Sequence, residues 1–317
     1  MAPASGKKLS VVVPCYNEQE TVEIFVKTTQ PLLEGLVQQG ALSDFEFIFV
    51  DDGSRDGTLG ILKALCGSNA HIHYISFSRN FGKEAGIFAG LQKACGDYVA
   101  LMDVDLQDPP SLLPDMLRAV QEEGYDCAAT RRSTRAHEPL LRSLFSRLFY
   151  KVINSLSDVA IEDGARDFRL MSRTFVNAVL SIAERNRFSK GIFAWVGFKT
   201  KYFAYENLER SAGSTKWNFW GLLGYAFDGI IAFSTKPLML ASVLGMISIV
   251  FAFLLIVFLI VRKLVFNNSV EGWASMLCII IFIGGVQLLC TGIIGQYLAK
   301  NYVETKQRPL YIIREEQ

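Results

Sequence analysis

Two long stretches without a charged residue lie near the C-terminus, and they limit the folds that are open to this chain. Leu238 to Val261 has 24 residues and Trp273 to Ala299 has 27. Each exceeds the roughly 20 apolar residues that a helix needs to cross a bilayer. We therefore predict a two-helix transmembrane anchor over residues 237–300, with two buried helices of a soluble protein as the alternative.

The basic residues that flank these stretches indicate the orientation of the anchor. Two lie between the stretches, Arg262 and Lys263. Six lie on the outer flanks: Lys216, Lys236, Lys300, Lys306, Arg308 and Arg314. Because basic flanks stay cytoplasmic, we expect both termini and the residues before the anchor on the cytoplasmic face of the inner or plasma membrane. Lys7 and Lys8 precede too few apolar residues for a secretory signal peptide.

Short β-branched or aromatic runs alternate with helical segments through the first half of the chain. One predicted helix runs from Glu18 to Gln39 and another from Lys83 to Ala94. The predicted strands are Leu9–Pro14, Phe45–Val50, His71–Phe77, Tyr98–Met102 and Tyr125–Thr130. This alternation predicts a Rossmann-like α/β domain with a mostly parallel sheet, which we assign to residues 1–210. No G-x-G-x-x-G follows the first strand, which disfavours a dehydrogenase-type dinucleotide fold.

Polar residues follow the first three predicted strands. The first strand ends in Pro14-Cys-Tyr-Asn-Glu18, and the second in Asp51-Asp-Gly-Ser54. The acids of the second run suit hydrogen bonds from a base or a ribose, although the same residues make good turns. Arg79 to Glu84, after the third strand, is either a helix-capping loop or a loop that closes over a ligand. Ligands of open α/β sheets bind at these strand ends, so we predict a nucleotide site there.

The fourth predicted strand ends in a denser group of polar side chains. Asp103, Asp105, Gln107 and Asp108 follow it within six residues, and Pro109-Pro110 then interrupt the chain. Carboxylate and amide oxygens at this spacing suit a hard divalent cation that bridges substrate phosphates. The alternative is a polar turn with solvated acids.

Two further segments point to the membrane surface. Residues 131–151 carry six basic residues and one acid, and apolar residues recur at helical spacing over 140–156. This segment is either a solvated or membrane-surface helix, or a source of arginines that bind a lipid phosphate. Residues 211–236 carry two tryptophans on one helical face, which predicts amphipathic interfacial helices. Residues 301–317 are expected to form a cytoplasmic tail.

The strand-end motifs together resemble glycosyltransferase family 2. They read Val-Val-Pro-Cys-Tyr-Asn-Glu, Asp-Asp-Gly-Ser-Arg-Asp-Gly, Ser-Arg-Asn-Phe-Gly-Lys-Glu and Asp-Val-Asp-Leu-Gln-Asp-Pro. With the two apolar stretches, the chain resembles the polyprenyl-phosphate glycosyltransferases of the bactoprenol glucosyltransferase type, relatives of dolichol-phosphate mannose synthase. The resemblance implies an A-type glycosyltransferase domain that requires Mg²⁺ or Mn²⁺.

The resemblance also implies roles for individual residues. The nucleotide-sugar donor would be held by Pro14, Tyr16, Glu18, Asp51, Asp52, Lys83, Asp103, Arg210 and Lys216. The metal would be held by Asp103, Asp105 and Gln107. The phosphate of the acceptor lipid would be held by Arg131, Arg142 and Ser146. The catalytic residues would be Asp167 and Asp105, with Asp167 as the candidate base.

The role of Asp167 is open to a second interpretation on chemical grounds. A phosphate monoester has a second pKa of about 6, so the acceptor is largely a dianion at neutral pH and needs little deprotonation. We therefore expect Asp167 to orient groups in the site. The alternative to a role in the reaction is a structural salt bridge with Arg166 or Arg169. Related sequences more often carry a small residue at the position of Arg166.

The function that the resemblance implies is the inverting transfer of one sugar. Glucose from UDP-glucose would pass to undecaprenyl phosphate at the cytoplasmic face and give a β-linked product. The alternatives are another nucleotide sugar, such as N-acetylglucosamine, mannose or an aminoarabinose derivative, and a catalytically silent sugar-nucleotide-binding subunit. Relatives suggest a homotetramer and a separate downstream flippase. The net charge of +1 gives no argument for nucleic acid as a partner.

Overall fold

The computed structural model describes most of the catalytic-type domain and both C-terminal helices. The described residues are 7–132, 162, 164–182, 184–205, 231, 234–266 and 272–317. Most of the predicted interfacial segment, 211–236, and the predicted basic helix over 140–156 lie outside them.

Eight described strands form one mixed sheet. They are β1 (Lys8–Cys15), β2 (Asp44–Asp51), β3 (Ile72–Phe77), β4 (Tyr98–Leu101), β5 (Cys127–Arg132), β6 (Ala165–Ser172), β7 (Thr200–Tyr205) and β8 (Ile313–Glu316). Their order is β7-β5-β6-β4-β1-β2-β3-β8. The neighbours β4, β1, β2 and β3 are parallel, whereas β6 runs antiparallel to both β4 and β5, and β8 to β3. The predicted mostly parallel α/β sheet is confirmed.

Helices cover both faces of the sheet. Those of the domain are α1 (Val22–Gln38), α2 (Thr58–Ser68), α3 (Lys83–Lys93), α4 (Leu113–Gln121), α5 (Arg173–Ser181) and α6 (Ser189–Trp195). The strand β2 shows why two layers form, because its successive side chains enter opposite cores. Phe47 and Phe49 pack with α1 on one face, and Ile48 and Val50 pack with α3 on the other.

Two long helices follow the domain, α7 (Lys236–Phe266) and α8 (Trp273–Thr305). Within them, Lys236–Arg262 and Ile279–Thr305 are long and apolar enough to span a membrane. Large apolar side chains remain exposed, with Phe253 at 64% and Leu288 at 75%. Soluble surfaces rarely expose apolar patches of this extent, so both helices indicate association with a membrane.

The two helices run antiparallel and return the chain to the domain. The Tyr297 hydroxyl donates to the Ser234 carbonyl at 2.6 Å, and the Cys290 thiol donates to the Ala241 carbonyl at 3.5 Å. The start of α7 and the end of α8 therefore lie on the same side. There the carboxylate of Glu304 accepts hydrogen bonds from the backbone N–H groups of Arg185 and Asn186.

Two features differ from the sequence expectation. The helix α1 begins at Val22, not at Glu18, and a turn precedes it in which the Glu18 carbonyl accepts from the N–H groups of Thr21 and Val22. The segment 301–317, expected to form a tail, contributes the edge strand β8 to the sheet. Its sequence Ile-Arg-Glu-Glu lacks the alternating pattern that predicts a strand.

The helix α3 begins with Lys83 and lies close against β1 and β2 at Gly90. A Cβ atom at Gly90 would stand 2.2 Å from Cγ1 of Val12 and 3.2 Å from Cγ2 of Val50. Both neighbours are β-branched core side chains that have little room to move. Glycine at this position therefore sets the distance between α3 and the sheet.

We predict that Gly90→Ala destabilises the protein by about 1–3 kcal/mol, since overpacking forces the helix away from the strands. The matched control is Gly60→Ala in α2, where a Cβ meets nothing within 4 Å. That change is expected to be neutral or to stabilise by up to about 1 kcal/mol through helix propensity. Thermal unfolding in detergent measures both variants, and equal midpoints would contradict the prediction.

Candidate active site

The carboxyl ends of the parallel strands gather the predicted polar residues at one edge of the sheet. Asp51 ends β2, the Arg79–Lys83 loop follows β3, and Asp103 follows β4. The Asp52 N–H donates to the Cys15 carbonyl at 2.9 Å, which joins the ends of β1 and β2.

Asp51 and Asp52 hold the protein's own groups in this structure. The Asp51 carboxylate accepts from the Ser54 N–H at 3.0 Å and from the Ser76 hydroxyl at 2.8 Å. The Asp52 carboxylate accepts from the N–H groups of Phe81 and Gly82 at 2.6 and 2.9 Å. Both side chains are buried, and burial raises the pKa of Asp52. In this structure, Asp51 and Asp52 stabilise the turn after β2 and the loop after β3.

The segment after β1 is joined to the turn after β2 through Asn17, which the sequence did not single out as a site residue. Its N–H donates to the Ser54 hydroxyl at 2.9 Å, and its side-chain oxygen accepts from the Arg55 N–H at 2.8 Å. Asn17 has a φ of 54°, a left-handed conformation that asparagine tolerates. The neighbouring Glu18 N–H donates to the Thr58 hydroxyl at 2.8 Å. These bonds hold Pro14, Tyr16 and Glu18 beside Asp51 and Asp52.

The loop after β3 packs tightly against the turn after β2. A Cβ at Gly53, whose φ is +66°, would stand 2.4 Å from the Arg79 carbonyl carbon. The Arg79 guanidinium lies 4.0 Å from the centre of the Phe81 ring, over its face. Gly53 therefore allows the close approach that brings Phe81 and Gly82 onto Asp52.

Lys83 bridges two carboxylates at the centre of the site. Its ammonium lies 2.7 Å from Asp103 and 2.5 Å from Asp167. Burial alone would lower the pKa of Lys83, but the charges of Asp103 and Asp167 raise it above its ordinary value. Lys83 and Asp167 are 84 positions apart in the chain, so this contact joins two distant segments.

Asp167 is surrounded by positive charge. Burial alone would raise its pKa, but Lys83, Lys190 and Arg169 together hold that pKa well below its usual range. The Lys190 ammonium lies 3.9 Å from the Asp167 carboxylate. The Arg169 guanidinium donates instead to the carbonyls of Asp167 and Arg166, at 3.3 and 3.0 Å. The carboxylate partners are therefore lysines, and not the arginines considered from the sequence.

Lys190 and Arg169 also line a cavity of about 260 Å³ beside Asp167. The Lys190 ammonium donates to the Ala165 carbonyl at 3.2 Å, and burial lowers the pKa of this lysine. The Arg169 guanidinium stacks over the Phe193 ring at 3.7 Å. Lys190 was not among the predicted site residues, and it lies in a separate helix 23 residues after Asp167.

The predicted metal ligands present oxygen atoms, but these do not by themselves complete the coordination of a metal ion. Asp105 accepts from the Gln107 N–H at 3.2 Å, and the Gln107 side-chain oxygen accepts from Arg166 at 3.1 Å. Asp103 is paired with the Lys83 ammonium. Within the part of the chain that the structure describes, no group of three or more His, Cys, Asp or Glu side chains is arranged to hold a metal ion. The set fits a Mg²⁺-like ion that takes its other ligands from substrate phosphates.

Arg166 organises the end of this motif. Its guanidinium donates to Asp108 at 3.1 Å as well as to Gln107, and the Tyr205 hydroxyl also donates to Asp108. Burial raises the pKa of Asp108 although Arg166 opposes this. Asp108 Oδ2 is buried and has no hydrogen-bond partner among the residues that the structure describes. Asp108 is therefore a buried anchor for Arg166 and Tyr205.

The predicted acceptor-phosphate residues are described only in part. Arg131 lies on β5, and its guanidinium pairs with Glu162 at 2.6 Å. The other predicted phosphate-binding residues lie outside the described residues: Arg142, Ser146, Arg210 and Lys216.

Comparisons with known proteins find a matching family model and similar sequences. The family model for glycosyl transferase family 2 matches residues 10–180. The prophage bactoprenol glucosyl transferase homolog of Escherichia coli (strain K12) is 41% identical over 307 residues, which cover 97% of this chain and 98% of that protein. The bactoprenol glucosyl transferase of Shigella phage SfV is 41% identical over 309 residues, covering 98% and 99%.

A solved structure of glucosyl-3-phosphoglycerate synthase from Mycobacterium tuberculosis is also similar. Its TM-score is 0.48 at 19% identity, over 72% of this chain and 78% of that one. At this level of similarity, neither a ligand nor the role of a residue can be assigned from that structure.

We predict that Lys83→Met lowers the thermal midpoint at pH 7 by about 3–6 °C, the shift that roughly 1–2 kcal/mol produces in a domain of this size. The change leaves Asp103 and Asp167 facing each other without their shared cation. The lowered pKa of Asp167 stabilises the wild type above the unfolded pKa of this group, and that stabilisation is lost as the pH falls. The difference between wild type and variant should therefore narrow below about pH 4.

Lys27→Met is the matched control for this measurement. Lys27 pairs with Glu23 on the exposed face of α1, where an ion pair contributes little. A midpoint for Lys83→Met that equals the control at pH 7 would contradict the role assigned to the bridge.

Proposed function

This chain belongs to glycosyltransferase family 2, and we propose that it transfers a single glucosyl residue from UDP-glucose to undecaprenyl phosphate at the cytoplasmic face of the membrane. Nearly the whole chain, both membrane-type helices included, is similar to proteins named bactoprenol glucosyl transferase. This full-length similarity carries the proposal. The product would be a β-linked lipid phosphosugar for the modification of a glycan.

The donor would bind at the strand ends that carry Asp52, Lys83 and Asp103. Lys83 would exchange one of its carboxylates for the diphosphate, which offers a stronger concentration of negative charge. Asp103, Asp105 and Gln107 would supply oxygen ligands for Mg²⁺ or Mn²⁺. Such an ion would stabilise the charge that grows on the leaving diphosphate. Arg210 and Lys216 are proposed to contact the same diphosphate.

Asp167 would orient the reacting groups and not act as a base. Lys83, Lys190 and Arg169 keep it ionised, so its affinity for a proton is low. A dianionic phosphate oxygen attacks the anomeric carbon without prior deprotonation, and in-line attack inverts that centre. Positioning and electrostatic stabilisation then supply most of the rate. Asp167 contributes by fixing Lys83 on one side and Lys190 on the other.

The acceptor phosphate would be held by Arg131, Arg142 and Ser146. Arg131 presents a guanidinium whose fork matches phosphate oxygens, and its partner Glu162 is a partly exposed acid. The lipid chain of the acceptor would remain in the bilayer beside α7 and α8, which bring the domain to the membrane surface.

Both termini and the domain are proposed to be cytoplasmic. The start of α7 and the end of α8 lie on one side, and the end of α8 contacts the domain through Glu304 and Arg185. The excess of basic residues on these flanks supports the cytoplasmic orientation. A homotetramer and a separate flippase for the product remain predictions.

The proposed activity is tested with purified protein in detergent, undecaprenyl phosphate and a panel of radiolabelled nucleotide sugars. We expect label in the lipid fraction from UDP-glucose with Mg²⁺ or Mn²⁺, and none with EDTA. Label from a different sugar would support the proposed mechanism and show that UDP-glucose is not the donor. Nucleotide binding without a lipid product from any donor would identify a silent binding subunit.

We predict that Asp167→Asn lowers kcat by about tenfold and leaves the pH dependence flat between about pH 7 and 9. Asparagine keeps a hydrogen-bond acceptor for Lys83 but loses the charge that fixes it. Asp115→Asn, the same chemical change on the exposed surface of α4, should leave kcat unaltered. Near-total loss of activity that recovers as the pH rises would show that Asp167 acts as a base.

A further inference from the structure

The chain after the second membrane-type helix returns to the strand that precedes the Arg79–Lys83 loop. The strand β8 pairs antiparallel with β3. The Ser78 N–H donates to the Ile312 carbonyl at 3.0 Å, and Tyr74 and Gln317 exchange two backbone hydrogen bonds of 3.0 Å. The last residues of the chain are therefore attached along β3 up to the start of the loop.

Tyr311 contacts the elements on both sides of this loop. Its ring stacks on Phe77, with centroids 4.8 Å apart and an interplanar angle of 17°. Its hydroxyl donates to the side-chain oxygen of Gln92 in α3 at 2.8 Å. Phe77 in turn packs edge-on against Phe81 of the loop, with centroids 5.8 Å apart. A continuous row of three rings thus runs from the C-terminal segment into the loop.

The loop that these rings support carries the central contacts of the site. Phe81 and Gly82 donate their backbone N–H groups to Asp52. The next residue, Lys83, bridges Asp103 and Asp167. A shift of Phe81 would therefore move the donors to Asp52 and the ammonium of Lys83 together.

We propose that Tyr311 is a positioning residue for the nucleotide-sugar donor, which acts through Phe77 and Phe81 on the loop that carries Lys83. This inference rests on the proposed function for the identity of the donor. It gives the segment after the membrane anchor a part in donor binding, although Tyr311 itself does not reach the reacting atoms.

The effect on donor binding follows from the strength of aromatic contacts. An aromatic pair changes an equilibrium between two loop positions by about three- to tenfold. Without the Tyr311 ring, the loop occupies its observed position for a smaller fraction of the time. The apparent affinity for the donor falls in proportion to that fraction, because only the observed position is competent to bind.

The test compares three variants with the wild type. Tyr311→Leu removes the ring, whereas Tyr311→Phe keeps the stack and removes only the bond to Gln92. Glu315→Gln is the matched control, because it breaks the ion pair of β8 with Lys63 and leaves the rings intact. Tyr311→Met replaces the leucine variant if that variant does not fold.

Two measurements are made on each variant, well below its thermal midpoint. The first is amide hydrogen exchange in the ligand-free protein over the segment that includes Phe81 and Gly82. The second is KM for UDP-glucose and for undecaprenyl phosphate. We expect Tyr311→Leu to speed exchange in this segment by about three- to tenfold. KM for UDP-glucose should rise by up to the same factor, with KM for the lipid unchanged. Tyr311→Phe and Glu315→Gln should stay within about twofold of the wild type.

The outcomes separate this inference from the proposed function. Unchanged exchange in the loop of Tyr311→Leu overturns the inference, as does an equal rise in KM for donor and lipid. A wild-type protein that transfers no glucose refutes the proposed function, and the exchange measurement then still decides whether Tyr311 positions the loop. Normal transfer by the wild type with no effect in Tyr311→Leu refutes the positioning role alone.

Discussion

The ammonium of Lys83 between Asp103 and Asp167 is the interaction on which the site depends. Two partly buried carboxylates repel each other at close range, and a cation between them offsets that repulsion. Lys83 supplies that cation from the first residue of α3, and Gly90 lets the same helix lie close to β1. The packing of α3 against the sheet therefore also determines where the positive charge of Lys83 lies in the site.

The two membrane-type helices are attached to the domain at more than one point. The chain comes back to the domain from α8, where Glu304 contacts the loop at Arg185 and β8 extends the sheet. Attachment at these points restricts the domain's rotation above the bilayer. A lipid phosphate can occupy only a narrow range of depths, so a fixed domain height favours transfer to such an acceptor.

Much of the fold was predictable from the sequence, because strand runs and strand-end motifs are local signals. The pairing of Lys83 with Asp167 was not, since it depends on β6 lying beside β4, and no local pattern specifies that order. The carboxylates of Asp51 and Asp52 accept hydrogen bonds from the protein itself, as expected from the turn interpretation of these residues, while their contact with a nucleotide stays a prediction. The strand β8 was missed because backbone pairing and ion pairs hold it, with little apolar patterning.

The proposed function requires that this group of strand ends bind a nucleotide diphosphate through Lys83 and a divalent ion. The decisive measurement is a crystal structure of the protein with UDP and Mn²⁺, with the metal located by its anomalous scattering. Mn²⁺ is expected on Asp105 beside the diphosphate, with the Lys83 ammonium in contact with a phosphate oxygen. Diphosphate bound elsewhere, or Lys83 still held between Asp103 and Asp167 with UDP in place, would contradict it.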